Sequence, residues 1–329
     1  MSVSVANRFR CHCDKCVDMH THFLQRDAFD ASQSHSVATC FGKNPVPGDL
    51  GWVHKMFDPA LQLEDMDARG IDMNVLTSAD AVQSRSWASP DEEARLSALV
   101  NDECLRWVER HPDRFAGTIS PPLGDMAMCL AELERCRPMG FRVIQLPANY
   151  RGFYLGHERY GDLWSYIAEN RLVVFIHPDG VRDMWFQDYA MWNSIGQSIE
   201  EVRVMTSLMY EGVLDRFPGL RIVMAHGGGY MPHYMGRLDR NVTDKPFTAK
   251  NLTKMPSEYL RDFYYDSCTY DARTLELLIE RVGLDRVVMG GDYPAAMFDP
   301  IDFVDEIRAS DEDKAKIAGA TALGLLEPA

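Results

Sequence analysis

Two spacings of apolar residues alternate along this chain of 329 residues. Short, almost continuous apolar runs are separated by longer stretches in which apolar residues return every three or four positions. The runs are VDMHTHF at 17–23, DMNVLTSA at 72–79, FAGTISPP at 115–122, FRVIQLPA at 141–148, LVVFIHP at 172–178, RIVMAHGGG at 221–229, FYYDSCT at 263–269 and RVVMGGDYP at 286–294. They predict the strands of parallel βα units. The stretches between them predict helices over Pro90–His111, Met126–Arg137, Tyr160–Asn170, Ile199–Phe217 and Asp271–Val282. Eight runs at this spacing predict an α/β fold of the (β/α)8 TIM-barrel kind rather than an open doubly wound sheet. The whole chain, 1–329, is expected to form one such domain.

One stretch breaks the rhythm. From Leu24 to Pro59 no barrel element is legible, only Gly, Pro, Asp and aromatic punctuation. An insertion this long in a compact domain is usually functional or disordered. Because it leaves the C-terminal end of the first strand, 24–59 is expected to lie over the barrel mouth as a lid or small subdomain.

Composition narrows the partners. Hydrophobic residues make up 46% and charged residues 25%, ample for a large core. The formal net charge of −15 is spread along the chain and argues against nucleic acid and anionic membrane surfaces. A small carboxylate substrate remains compatible, since a cation and one or two arginines reverse the local potential. The eight cysteines are not needed as staples in a chain of this size. The N-terminus does not resemble a signal peptide, and no run approaches transmembrane length. A soluble cytoplasmic protein with reduced thiols is expected.

Candidate chemistry gathers where the apolar runs end. His20 and His22 are two residues apart on a predicted strand, so both imidazoles leave the same face. His177 ends LVVFIHP, His226 ends RIVMAH and Asp292 ends RVVMGGD. Barrel enzymes place their catalytic groups at these C-terminal strand ends. Burying so many polar groups beside a dry core is costly, and a divalent cation compensates. Imidazoles with a carboxylate suit zinc first, with manganese, iron or cobalt also compatible.

Other features carry less. Gly227 to Gly229 read as a tight turn that brings backbone close to the pocket, in preference to a phosphate-binding turn. Cys11, His12, Cys13 and Cys16 have no distal CxxC partner, so an ordinary N-terminus is favoured over a second zinc site. Asp18 is a candidate to orient one of the histidines. Trp52 and Trp192 are candidates to stack on a planar substrate, with packing as their commoner use.

Taken in order, these residues resemble the amidohydrolase superfamily, in particular its aminocarboxymuconate-semialdehyde decarboxylase branch. The resemblance rests on DMHTHF, FDPALQLEDMDARGIDMNVL, FIHP, EGVLDRFPGLRIVMAHGGG, GRLD and GGDYP and covers nearly the whole chain. It implies that His20, His22, His177 and Asp292 ligate one divalent ion, zinc before manganese. It implies that His226 is no steady ligand, but holds and deprotonates the water that the ion binds. FRVIQLPANY lacks the lysine that bridges two metals in dinuclear members, in keeping with a single ion. Arg237, eleven residues after His226, matches a family arginine that reaches a substrate carboxylate in the neighbouring subunit, implying a homodimer or higher homo-oligomer. The chain departs from the branch in GKNPVPGDLGWVHKMFDP, which has no second carboxylate-binding arginine; Lys43, His54 and Lys55 are the candidates to bind substrate in its place. The resemblance implies nonoxidative decarboxylation of an aromatic or muconate-semialdehyde-like acid in aromatic catabolism. The competing readings are a C–C bond hydrolase of ring-fission products, or a related hydratase, and a noncatalytic binding protein on a degenerate barrel.

Overall fold

A computed structural model describes residues 12–32, 35, 51–79, 84–181, 184–189, 191–295 and 299–327. Eight parallel strands follow one another around a barrel: β1 (Val17–Phe23), β2 (Met73–Ser78), β3 (Phe115–Ile119), β4 (Val143–Leu146), β5 (Val173–Ile176), β6 (Arg221–Met224), β7 (Phe263–Asp266) and β8 (Val287–Val288). The segment running on from β8 returns to β1. Met19 N donates to Met289 O at 2.9 Å, His22 N donates to Tyr293 O at 2.7 Å, and Thr21 bridges Tyr293 in parallel. Every predicted run contains a strand, but most strands stop short of their runs. β6 ends at Met224 and β8 at Val288, and the polar residues beyond them leave ladder geometry to turn into the site.

Strand alternation separates two apolar layers. Val17, Val75, Val143, Val173, Phe175 and Val223 belong to the cluster that fills the barrel interior. Ala322 and Leu325 complete that cluster at the N-terminal strand ends, where Arg221 Nη1 donates to Leu325 O at 3.2 Å. Ile144, Val174, Ile176 and Ile222 belong instead to the larger core between strands and helices. Burial on both faces explains why these strands read as unbroken apolar runs.

The helices include α1 (Arg26–Ser32), α2 (Pro59–Arg69), α3 (Pro90–Arg110), α4 (Met126–Cys136), α5 (Gly161–Glu169), α6 (Gln197–Tyr210), α7 (Met231–Asp244) and α8 (Ala272–Val282). Asp58, Ser89, Asp125 and Asp271 each accept a first-turn backbone N–H, capping α2, α3, α4 and α8. The helix expected over 199–217 is two helices, because Gly212 at φ 74 separates α6 from a short turn of helix, Val213–Arg216. Among the described residues no helix is long and apolar enough to cross a membrane.

Within 24–59, the regular elements among the described residues are α1, a 3-10 turn at Gly51–Met56 and the start of α2, with no barrel strand. Lys43 and Cys40 lie outside the described residues. The two ends of the insertion meet beside β1: Leu24 N donates to Met56 O at 2.7 Å, and Gln62 Nε2 donates to His22 O at 2.8 Å.

One irregularity in β1 decides which side chains enter the site. Pairing with β2 runs Val17↔Met73 and Asp18↔Asn74, then resumes at Thr21↔Leu76, so β1 carries one extra residue. Val17 and Met19 point into the barrel interior. Strict alternation would send His20 and His22 outward, and the bulge brings them back inside. Asp18 braces it, accepting from His20 N and from Gly291 N, both at 2.9 Å.

A second brace spans three strands. Gln145 on β4 accepts from Ser78 N at 2.6 Å and donates to Ser78 O at 2.9 Å, linking β4 to the end of β2 past β3. Both residues are buried. Gln145→Leu keeps the volume and leaves two buried main-chain groups of Ser78 unmet. The expected loss is about 2–4 kcal/mol of unfolding free energy, read by urea denaturation followed by circular dichroism.

Candidate active site

Five polar residues converge above the interior layer at the C-terminal strand ends. His20 packs its ring edge-on against Phe175, centroids 5.1 Å apart, and stands 4.9 Å from His177 and 5.0 Å from His226. His22 lies 5.0 Å from His177. Asp292 reaches in from the segment after β8: its Oδ1 is 3.0 Å from His22 Nε2 and 3.3 Å from His20 Nε2, and its Oδ2 is 4.0 Å from His226 Nε2. One ligand atom each from His20, His177, His226 and Asp292 lies within 4.8 Å of the others. His22 adjoins this quartet through its contact with Asp292.

Hydrogen bonds at the far side of the rings set what each imidazole offers the centre. His20 donates from Nδ1 to Asp266 Oδ2 at 2.7 Å, which leaves Nε2 facing inward. Thr77 Oγ1 spends its hydrogen on Thr21 O at 2.7 Å, so it accepts from His22 Nδ1 at 3.0 Å, and His22 Nε2 also presents a lone pair inward. His226 donates from Nδ1 to Glu201 Oε1 at 2.6 Å. Tyr270 donates to Asp292 Oδ2 at 3.0 Å, opposite the oxygen that meets the two histidines. Imidazoles backed by carboxylates are the usual outer partners of metal ligands.

The backbone is bent to make this possible. His226, Asp292 and Tyr270 have φ of 50°, 51° and 58°, in the left-handed region that non-glycine residues seldom adopt. Strained residues of this kind cluster at functional sites. The turn after His226 approaches α6 so closely that a Cβ on Gly229, itself at φ 62, would fall 2.7 Å from Glu201 Oε2. At Gly290 a Cβ would fall 2.7 Å from that of Asp266 and 2.9 Å from that of His20. The glycines are therefore the tight turn that the sequence suggested, and they let side chains from β1, β7 and α6 close on one point.

The electrostatics fit a cation. Burial disfavours a charged His20, yet its hydrogen bond to Asp266 and the nearby Asp292 carboxylate outweigh it and hold its pKa up to about 10. Two carboxylates thus favour positive charge at this point. Burial and the neighbouring histidines push His177 well below its ordinary value, toward the neutral form that binds metals. His22 also goes down, from burial, despite the pull of Asp292. Burial raises Asp292, but the His20 and His22 rings against its carboxylate overcome this and hold it ionised, well below the usual range. Burial raises Glu201 to about 7 against the pull of His226. His226 is lowered by burial but carried above its ordinary value by Glu201. His20 Nε2 is buried without a hydrogen-bond partner, as expected of a nitrogen that serves a metal rather than a proton acceptor. The donor set fits one divalent cation.

The remaining candidates fall elsewhere. Asp18 binds main-chain N–H groups rather than an imidazole ring. Trp192 is buried in the outer core, with its carbonyl against Gly180 in the loop after His177, and Trp52 packs half-buried on the same core. His54 is exposed, and Lys55 is paired with Asp65 at 2.5 Å. Arg237 is exposed on α7, and its hydrogen bond goes to Tyr234 at 3.4 Å rather than to the histidine cluster. Asp266, Glu201, Thr77 and Tyr270 were not anticipated. Asp266 ends a strand as the others do and was legible by the same rule; Glu201 and Tyr270 lie on a helix and in a loop, with no local signal.

A family model described as Amidohydrolase matches residues 17–327. The chain is 26% identical to the 2-amino-3-carboxymuconate-6-semialdehyde decarboxylase of Dictyostelium discoideum, over 94% of this chain and 91% of that one. It superposes on 5-carboxyvanillate decarboxylase from Sphingomonas paucimobilis with a TM-score of 0.84 and 25% identity, covering 96% of this chain and 99% of the other. The 5-carboxyvanillate decarboxylase of Novosphingobium aromaticivorans, complexed with manganese and 4-hydroxy-3-methoxy-5-nitrobenzoic acid, shares the fold with a TM-score of 0.85, 23% identity and coverage of 95% and 96%. With a barrel, a site and a family model that agree over almost its full length, this chain belongs to the amidohydrolase family.

Proposed function

We propose that this chain is a metal-dependent, nonoxidative decarboxylase of an aromatic or muconate-semialdehyde-like carboxylic acid. The observation that carries the reading is the convergence of four imidazoles and Asp292 in a chain whose relatives, aligned nearly end to end, are decarboxylases. His20, His22 and His177 with Asp292 would hold one divalent ion, zinc or manganese. The tautomers of His20 and His22 support this set, because both rings present Nε2 to Asp292. The ion would stabilise negative charge developing on a substrate oxygen.

The protein's own part is proton handling. Glu201 fixes the His226 ring through Nδ1, so Nε2 is the nitrogen that faces the centre. Glu201 also favours the protonated ring. His226 Nε2 delivers its proton to the carbon that bears the carboxylate. The bond to the carboxylate then breaks, its electrons return to the substrate framework and CO2 leaves. His226 recovers a proton from solvent. Tyr270 holds Asp292 by its other oxygen, which keeps Oδ1 between His20 and His22. Residues 24–59 act as the lid, and Arg237, exposed on this chain, completes the carboxylate site of a second copy in a homodimer.

Incubating the metal-loaded protein with a panel of hydroxybenzoates and carboxymuconate semialdehydes tests the reaction directly. Stoichiometric CO2 with the decarboxylated product is expected. Two carboxylate or ketone fragments without CO2 would instead assign C–C hydrolysis to the same residues. Glu201→Gln tests the proton donor. Removing the buried negative charge lowers the His226 pKa, so the protonated form is lost at lower pH. The alkaline limb of the kcat profile is expected to move down by about one pH unit, while an unmoved limb would detach Glu201 from His226.

A further inference from the structure

Cys13 and Cys16 of the CHCDKC motif take no part in the site above, while Cys11 lies outside the described residues. Cys13 and Cys16 stand just ahead of β1, at the barrel end remote from the histidines. Their Sγ atoms are 3.7 Å apart, with the Cys16 thiol donating to Cys13 Sγ. Cys13 Sγ is in turn 2.9 Å from Lys15 O. Cys16 is buried and its backbone is pinned: N donates to Asp72 Oδ2 at 2.7 Å, and O accepts from Asp72 N and Met73 N. Cys13 is half-buried. It borders the helical turn Lys316–Ala320, where a Cβ on Gly319 would fall 3.0 Å from its sulfur. Among the described residues the one cluster with metal-ligand spacing is the histidine site, which includes neither cysteine.

We propose that Cys13 and Cys16 form a reversible dithiol–disulfide site that exchanges with a small dialkyl disulfide such as glutathione disulfide. Cys13 is the more accessible thiol; its sulfur accepts from the Cys16 thiol, its own S–H donates to Lys15 O, and it becomes the attacking group once that proton passes to solvent. The Cys13 thiolate attacks the small disulfide, forms a mixed disulfide and expels one thiolate. Cys16 then loses its proton to solvent, attacks Cys13 Sγ and expels the second thiolate. Two protein thiols are oxidised and one small disulfide is reduced to two thiols. Closing the bond asks the sulfurs to approach by about 1.7 Å, to the usual disulfide length. Cys13 supplies the movement, because Cys16 is held by Asp72 and Met73. The deeper cysteines are unsuited to this chemistry: Cys104, Cys129, Cys136 and Cys268 are buried, and burial pushes the Cys104 and Cys129 thiols up to about 12.

The test uses full-length protein, reduced, freed of reductant and equilibrated in glutathione buffers of stepped disulfide content. Acid quenching, alkylation of the unfolded chain and trypsin digestion follow. Cleavage after Lys15 separates the two cysteines, so a bond between them joins the peptide ending at Lys15 to the peptide ending at Arg26. The joined pair is expected to rise in one two-electron transition, while Cys104, Cys129, Cys136 and Cys268 stay fully alkylated. Cys11→Ser is expected to retain the link, and Cys16→Ser to accumulate a glutathione adduct on Cys13. The proposal is overturned by full alkylation of Cys13 and Cys16 in excess glutathione disulfide, or by loss of the link in Cys11→Ser. It is equally overturned if the reduced wild type releases a second zinc ion on mercurial titration and Cys13→Ser does not.

Discussion

Three carboxylates are buried against imidazoles at the mouth of this barrel: Asp266 on His20, Asp292 on His20 and His22, and Glu201 on His226. Removing a carboxylate from water costs several kcal/mol unless positive charge meets it at close range. The rest of the site answers that demand. His20 is held between two of the carboxylates, His177 is pushed toward its neutral form, and Asp292 is kept ionised by its histidine partners. One divalent cation satisfies these tendencies together, because it offsets the carboxylates and uses the neutral imidazole nitrogens as ligands. On the proposed reading Glu201 and His226 carry the proton while the other imidazoles hold the ion, a separation of tasks that suits decarboxylation.

The geometry depends on departures from regular backbone. The extra residue in β1 turns His20 and His22 into the interior, and Asp18 fixes it by binding N–H groups from both sides of the barrel closure. His226 and Asp292 leave their strands in left-handed conformations, which aims both side chains at one point. The apolar layer beneath, with Phe175 against His20, denies the rings any other resting place. Fold and site are thus coupled through a few main-chain hydrogen bonds near Asp18 and Gly291.

Much of this was legible in the sequence, for physical reasons. Strands buried on both faces leave continuous apolar runs such as LVVFI, and caps such as Ser89 and Asp271 announce helix starts, so the βα alternation could be read directly. Histidines and an aspartate at the ends of such runs stand out because nothing else excuses their burial. The bulge in β1 was not legible: His20 and His22 were correctly assigned to one face, but the face depends on pairing with β2. Glu201 was hidden because its partner is 25 residues away and a glutamate on an amphipathic helix normally reads as solvated. The break at Gly212 was missed because its left-handed turn interrupts an apolar pattern that continues on both sides.

Distances alone leave His22 and His226 as rivals for one place around the ion, since the tight quartet contains His226 and the tautomers favour His22. Metal stoichiometry of dialysed protein, measured by plasma mass spectrometry on the wild type, His226→Asn and His177→Asn, decides between them. One divalent ion per chain is expected in the wild type and in His226→Asn, and its loss in His177→Asn. Loss of the ion in His226→Asn, or two ions per chain in the wild type, would contradict this assignment.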